Sequence, residues 1–391
     1  MPRLLTADWV LPIAGPAIER GVVVIDGETI IGVHPKGYAT ADTDFGAAAI
    51  LPGLVNAHTH LDLSGARGLI PPSPDFTGWL DRVIDYRRSR ANEDVVADIK
   101  AGIAECERFA VTLIGDISAE SHSSSPLATS SLRATIFHEI IGLSPNRFDE
   151  QLAIAVSRIE QRSERFRYTR SPHAPYSVNH PRLLALLAQR QGLAIHLAES
   201  AAEIELLAHQ TGPFVDFLNR KNLWQPDAIT ASLPELVAAC ERHVIIHGNF
   251  IDPATLTANH TLVYCPRTHA AFGHPSYPLR EFLATGATIA LGTDSLASNP
   301  DLDILGEARF VRERYPDLDA RSILAMVTIN GARALRFDHL VGTIEVGKRA
   351  DLTIVRLANG HADPHEAALL GPAAGKRMTF VSGYVRWASW P

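Results

Sequence analysis

Pro52-Gly53-Leu54-Val55-Asn56-Ala57-His58-Thr59-His60 is the stretch around which the chain is organised. Ile50 to Val55 is an apolar run that reads as a buried strand. His58 and His60 follow at i, i+2, so extended backbone points both imidazoles to one face. Two imidazoles on one face at a strand's end suit a divalent metal. The pair alone would also fit two surface histidines in a loop. Three further stretches each follow a short apolar run: His196-Leu197-Ala198-Glu199, His247-Gly248-Asn249 and Gly292-Thr293-Asp294.

Outward from that stretch, apolar runs recur at Val111–Ile117, Ala134–Leu143, Arg167–Ser171, Leu193–Leu197, His243–His247, Leu262–Cys265 and Thr288–Leu291. With Ile50–Val55 they number eight. Helix-like segments lie between most of them: Asp94–Cys106, Phe148–Glu160, Pro181–Gln191 and Ser232–Cys240. Eight strands alternating with helices predict an α/β fold of the (β/α)₈ barrel type over residues 50–340. A doubly wound sheet competes, but it normally carries an early glycine-rich phosphate turn, and no GxGxxG or GxxxxGK[ST] occurs. Residues 1–49 alternate short apolar runs with turns, including a hairpin around Asp26-Gly27. Gly342–Lys348 and Ala350–Val355 have the same texture. Residues 1–49 and 341–391 are therefore expected to join into one small β domain.

In such a barrel the strand C-termini converge on the face that carries the chemistry. His58 and His60 follow the first strand, Glu139 lies late in the third and His173 follows the fourth. His196 and Glu199 close the fifth, His247 closes the sixth and Asp294 follows the eighth. Each alone reads as a satisfied core or loop residue. Their agreement in position is what points to a site.

The whole-chain properties narrow the function classes. At 391 residues the chain is long enough for a barrel and a smaller unit. With 46% hydrophobic and 20% charged residues it is globular rather than disordered. A net charge of −7 argues against nucleic acid or an anionic membrane as partner. Cys106, Cys240 and Cys265 are far apart and form no CxxC, which argues for a reducing compartment and against a thiolate metal site. Asp8, Pro12 and Pro16 interrupt any signal-peptide pattern, and no stretch of about 18 apolar residues appears. A soluble cytoplasmic protein is the expectation.

The chain resembles the amidohydrolase superfamily in its cytosine/adenosine deaminase and chlorohydrolase-like branch. The matching segments are PGLVNAHTHL (52–61), SPHAPYSV (171–178), HLAES (196–200), HGN (247–249), CPRTHAAFG (265–273), LGTDSLASNP (291–300) and GTIEVGKRADL (342–352). They run through nearly the whole chain in the family's order. The resemblance implies a distorted barrel with a β-sandwich from both termini, and one metal at the barrel mouth. It implies His58, His60, His196 and Asp294 as ligands, Glu199 and His247 as the proton-handling pair, and His173 as a substrate contact. Branches with two metals bridge them with a modified lysine at the end of strand 4. Arg170 and His173 stand near there and no lysine does, so one metal is expected.

Three imidazoles and one carboxylate leave a divalent ion with net positive charge and room for a water, which is a catalytic site rather than a closed structural one. Water bound to such an ion loses a proton near neutral pH and becomes the nucleophile. Zn²⁺ is the first choice, and Fe²⁺ or Mn²⁺ accept the same ligands. Asp294 can ligate and also take the water's proton. Glu199, three residues past His196, can protonate a ring nitrogen. His247 can orient the nucleophile or polarise the substrate. The expected reaction is deamination of an N-heterocycle. No HExxH and no H-x-E…P-C-x-x-C is present, which argues against a metalloprotease or a polynucleotide editor.

Substrate features are thinner. Leu61–Ser64 and Phe76–Leu80 resemble family segments that cap the mouth. Trp79 could stack on a heteroaromatic ring or simply pack in a helix. Glu139 could bind ribose hydroxyls or pair with an arginine. Arg267 could hold an anionic group or shape its loop. HTHLDLS together with CPRTHAAFG resembles the aminofutalosine deaminases, with Asp62 where those carry Glu. The alternatives are a chlorohydrolase acting on triazines, a cyclic-amide hydrolase, and a catalytically silent metal-binding barrel. The last needs neither Glu199 nor His247. A homodimer is expected from the family resemblance alone.

Overall fold

The computed structural model describes every residue except 120–121, 160–162, 190, 372–376 and 389–391. Eight parallel strands form its centre: β1 (Leu54–Thr59), β2 (Val111–Ser118), β3 (Arg133–Ile140), β4 (Phe166–Pro172), β5 (Ala194–Leu197), β6 (Val244–His247), β7 (Thr261–Tyr264) and β8 (Thr288–Leu291). Seven of the eight expected apolar runs coincide with barrel strands, with ends shifted by a few residues, and the first, Ile50–Val55, is split between two strands. Their continuous apolar character follows from burial on both faces, lumen and helix side.

The strands form two four-stranded ladders, β4-β3-β2-β1 and β5-β6-β7-β8. The ladders meet at two seams. At the β8–β1 seam Thr293 and Asp294 N–H both donate to the His58 carbonyl at 3.1 Å, and Asn56 exchanges two hydrogen bonds with Thr293. At the β4–β5 seam His196 N–H donates to the His173 carbonyl at 2.9 Å, and Ser171 Oγ donates to the Ala194 carbonyl at 2.9 Å. His58, His60, His196 and Asp294 thus stand beside the places where side chains and loops, rather than regular ladder bonds, join the barrel, while His247 ends a strand laddered on both sides.

Helices cover the outside. The Asn92–Arg108 helix buries Ile99, Ile103 and Cys106, a 3.6-period stripe. It ends where Ala110 turns into the left-handed region at φ 63° and leads into β2. Pro145–Ile159, His180–Leu187 and Leu233–Ala239 occupy the other expected helical segments with shifted ends.

One boundary is corrected. Ile50–Val55 is not one strand. Ala48–Pro52 is a strand of the outer sheet, paired antiparallel with Leu352–Arg356, and β1 begins at Leu54. Gly53 is the hinge, and a Cβ there would collide with the Thr112 side chain. The apolar run hid the break because both strands are buried. Gly342–Lys348, expected as strand, is a run of turns.

Both termini do build the second unit. One sheet orders Thr29–His34, Val22–Asp26, Arg3–Thr6 and Thr43–Asp44. The other orders Tyr384–Ala388, Arg377–Val381, Leu352–Arg356, Ala48–Pro52, Trp9–Val10 and Ile18–Glu19. Leu5, Val23, Ile25, Ile50, Ile354 and Phe380 fill the space between them. Two buried ion pairs tie this unit to the barrel, Arg133–Asp351 and Arg377–Asp303, each at 2.7 Å. Removing one partner of such a pair costs about 3–5 kcal/mol, because the other charge stays buried. No helix among the described residues is long and apolar enough to cross a membrane.

Candidate metal and active site

His58, His60, His196 and Asp294 converge at the barrel mouth, all less than a tenth exposed. His60 Nε2 lies 3.3 Å from His196 Nε2. Asp294 Oδ1 lies 3.4 Å from His58 Nε2 and 3.6 Å from His60 Nε2. Donors about 2.0–2.1 Å from one tetrahedral ion stand about 3.4 Å apart, so these spacings are those of ligands around a single ion. His247 comes close as well: its ring nitrogen and those of His58 and His196 lie within 4.8 Å of one another. The Nε2 atoms of His58 and His247 are buried with no hydrogen-bond partner. Buried polar atoms are normally satisfied, and a cation between them would satisfy both.

Neighbouring groups set the ligating forms. His196 Nδ1 is 3.1 Å from the His173 carbonyl. A carbonyl only accepts, so Nδ1 carries the proton and Nε2 offers its lone pair inward. Ser298 Oγ donates to Asp294 Oδ2 at 2.7 Å, leaving Oδ1 for the cluster. Burial, and then the charge of His58, holds His60 and His196 well below the usual imidazole range. Burial is also the main cause that lowers His247 to about 3. Burial opposes the Asp294 charge, but His58, with its Nε2 at 3.4 Å, outweighs it and, with His247 and His60, holds the carboxyl below its ordinary range. Neutral imidazoles and one carboxylate are the forms that bind a divalent cation.

Glu199 stands beside this cluster rather than in it. Its Oε1 is 3.3 Å from His247 Nε2. Burial, then the charges of Asp294 and Glu203, raises its carboxyl well above the ordinary range. It therefore holds a proton in the pH range where a free carboxyl has lost it, which is the state an acid catalyst needs.

The backbone is forced into this arrangement. Ala198, His247 and Asp294 all adopt left-handed φ, at 54°, 70° and 60°. Each such residue costs roughly 1–3 kcal/mol, strain that surrounding bonds must hold. Glu203 accepts from the N–H groups of Ala198 and Glu199, both at 2.9 Å. Asn249 Nδ2 donates to the Glu199 carbonyl at 2.9 Å, and Tyr277 Oη donates to the His247 carbonyl at 3.0 Å. Gly292 lets β8 close on β1, since a Cβ there would meet the His58 Cβ at 2.7 Å.

Two neighbouring spaces, which share lining residues, lie at the cluster. The inner one, about 50 Å³, is walled by Trp79, His173, His196, Glu199, His247 and Asp294 among others. The outer one, about 470 Å³, shares Leu80, Val83, Arg87, His173 and Tyr176 with it and adds Ile84, Ile141, Leu143 and Phe217. Its walls are mainly apolar, with Arg88, Arg147 and Lys221 among its cationic residues. Glu139 lines it, and Glu139 Oε1 is buried without a hydrogen-bond partner. Its other oxygen lies 3.5 Å from Arg87 Nη1. His173 is fixed by its Nδ1–Ser177 Oγ bond at 2.8 Å and presents Nε2 towards Glu139 at 3.9 Å.

Two expected substrate contacts read differently in three dimensions. Trp79 walls the inner space, but its indole N–H donates to the Ile70 carbonyl and its ring packs edge-on to Phe272. Arg267 is corrected: it does not line either space. Its guanidinium donates to Glu307 and Asp301 at 2.7 Å each, so its charge is spent on shaping the loops after β7 and β8.

Four contributors were missed by sequence reasoning. Arg87 bridges Asp62, at 2.9 Å, and Glu139. It lies in a run of basic helical residues with nothing to single it out. Glu203 looks like the end of a Ser200-x-x-Glu203 capping box, and Ser200 does cap the helix. Its carboxylate instead turns back to hold the Glu199 turn. Asn56 and Ser298 lie inside quoted motifs, and the signal was their spacing from His58 and Asp294.

Comparison with known proteins shows the family and the fold. The model of the Amidohydrolase family matches residues 49–385. A 5-methylthioadenosine/S-adenosylhomocysteine deaminase of Moorella thermoacetica is 30% identical, over 97% of this chain and 92% of its own length. An aminodeoxyfutalosine deaminase of Deinococcus radiodurans is 31% identical, over 85% of each chain. The crystal structure of a zinc-bound adenosine deaminase from Xanthomonas campestris superposes with a TM-score of 0.81 at 24% identity, covering 99% of this chain and 93% of that one. With the barrel, the terminal β-sandwich and the match over almost its whole length, the chain belongs to the amidohydrolase family.

Proposed function

We propose that this protein is a one-metal deaminase of a substituted aminopurine nucleoside. The observation that carries the reading is Glu199: a buried carboxyl, raised in pKa, 3.3 Å from His247 and beside four converging metal-ligand side chains. A silent metal-binding barrel would have no use for it.

His58, His60, His196 and Asp294 would hold the ion, with Zn²⁺ the best fit to an N/O set without thiolates. When bound, the ion supplies Lewis acidity that makes water a competent nucleophile near neutral pH. The heterocycle's amine-bearing carbon faces the cluster. Glu199 gives its proton to the adjacent ring nitrogen as the carbon is attacked. His247 orients the nucleophile, and Asp294 accepts the nucleophile's proton for transfer to the departing amine. As the C–O bond becomes a carbonyl the C–N bond breaks and ammonia leaves; one proton of the consumed water departs with the amine through Asp294, and the other restores the acid form of Glu199. The unpartnered Glu139 Oε1 is placed to accept from a sugar hydroxyl, with His173 beside it. The apolar outer space suits a substituent on the sugar. The relatives named for 5-methylthioadenosine, S-adenosylhomocysteine and aminodeoxyfutalosine supply the substrates to try first. A cytoplasmic homodimer is part of the same proposal, and the three buried free cysteines are consistent with a reducing compartment.

The test is ammonia release by the metal-loaded enzyme from those three nucleosides and adenosine, with chloride release measured in parallel from a chlorotriazine. One of the nucleosides should reach kcat/KM of about 10⁴ M⁻¹s⁻¹ or more, the ordinary range for a true substrate. Turnover of the chlorotriazine alone would overturn the reading in favour of a chlorohydrolase.

A further inference from the structure

A second polar cleft lies away from the mouth, on the β4–β5 seam. It measures about 700 Å³ and is lined by Thr135, Phe137, Tyr168, Arg170, Gln191 and Arg336 among others. Arg170 is only 3% exposed. Its Nη atoms donate to the neutral side-chain oxygens of Gln189 and Gln191, and its Nε has no partner. No carboxylate among the described residues pairs with it. A buried guanidinium is normally paired with an anion, because leaving its charge uncompensated is costly. Arg336, which is exposed, packs its guanidinium on Gly192, where any Cβ would collide with it. Gly192 has φ 67°, so the chain there also favours glycine for its backbone. Two arginines from different parts of the chain thus face one cleft. The local potential is felt by His243, which burial lowers first and the charges of Arg336 and Arg170 lower further.

We propose that this cleft binds an oxyanion, phosphate-like in charge and geometry, between Arg170 and Arg336. Arginine's planar fork suits phosphoryl oxygens. The cleft is far larger than a bare phosphate and falls within the usual range for small-molecule sites, and Tyr168 and Phe137 offer apolar surface beside the charge. The bound anion would also bridge the seam, where side-chain bonds such as Thr169 Oγ1 to the Gly192 carbonyl replace a regular ladder. The proposal does not depend on the reaction at the mouth.

The experiment is a thermal-shift titration of the metal-loaded protein with inorganic phosphate, uridine 5′-monophosphate and uridine, at constant ionic strength. Wild type should show a saturable rise in Tm of about 2 °C or more. Arg170→Gln and Arg336→Gln should each shift the half-saturation at least tenfold. The exposed Arg336 variant keeps the test open if Arg170→Gln does not fold. Saturation at lower concentration with the monophosphate than with phosphate, and none with uridine, would assign a phosphorylated metabolite; equal saturation would assign the free anion. Metal content is followed in each sample, because phosphate acting on the metal would affect wild type and variants alike. No saturable rise in wild type, or a rise unchanged in Arg336→Gln, overturns the proposal.

Discussion

Glu199→Gln separates chemistry from architecture. The Glu199 side chain is 8% exposed and is held protonated by burial. A neutral amide of the same size therefore replaces a neutral carboxyl. The turn that carries it is fixed through backbone atoms, by Glu203 on its N–H and Asn249 on its carbonyl. Folding should change by less than about 1 kcal/mol, as for a volume-conserving swap that leaves no charge stranded. Metal content should match wild type. What disappears is the transferable proton, and loss of a general acid lowers rates by about 10² to 10⁴. That corresponds to about 2.7–5.4 kcal/mol in the barrier. The assay is single-turnover ammonia release, with metal content and Tm measured on the same sample. The pH profile adds a sign. A raised carboxyl pKa keeps the acid form as pH rises past the ordinary range, and activity falls as that proton is finally lost. The same shift makes folding less favourable as pH rises above about 4.5, the unfolded value, because the unfolded chain sheds a proton the folded one keeps. Both dependences should flatten in Glu199→Gln. A folded, metal-loaded variant with near wild-type turnover would refute the acid role.

Three further outcomes follow from particular contacts. Arg87→Met strands Asp62 and Glu139 as buried carboxylates. It should cost about 3–5 kcal/mol in denaturant unfolding, the usual loss when one partner of a buried pair is removed; an unchanged midpoint would contradict the clamp. Ser298→Ala removes the hydroxyl that orients Asp294 and should weaken metal affinity about 10- to 100-fold in competition with a chelator. Glu203→Gln keeps one acceptor and sets an N–H against a backbone N–H. The carboxyl it replaces is pushed up to about 7, mainly by burial. The variant should lose about 1–3 kcal/mol of stability and, through the displaced Glu199 turn, more in kcat than in KM; equal effects on both would point to a purely structural role.

Much of this site was legible because barrel chemistry sits at strand ends, and strands buried on both faces announce themselves as apolar runs. His58, His60, His196, His247 and Asp294 each end or follow such a run, so position and residue type agreed. Continuity of hydrophobicity failed where two buried strands abut: nothing apolar changes between Leu51 and Leu54, and only the contact of Gly53 with Thr112 marks the hinge. Electrostatic partners were the least legible. Arg267 and Arg87 look alike in sequence, yet one is spent on Glu307 and Asp301 while the other clamps Asp62 and Glu139 at the mouth. Which carboxylate an arginine meets depends on loops from distant strands, and no local pattern records that. Glu203 was hidden for a different reason: capping spacing explains its position fully, and the backbone bonds it makes instead depend on the left-handed turn at Ala198.

The claim on which the mechanism rests is a single ion shared by four side chains, and metal stoichiometry tests it most directly. Elemental analysis of the purified, metal-reconstituted protein should give about one divalent ion per chain, as expected for three imidazoles and one carboxylate, and His196→Ala should lose both the ion and ammonia release. Two ions per wild-type chain, or one ion retained in full by His196→Ala, would contradict it.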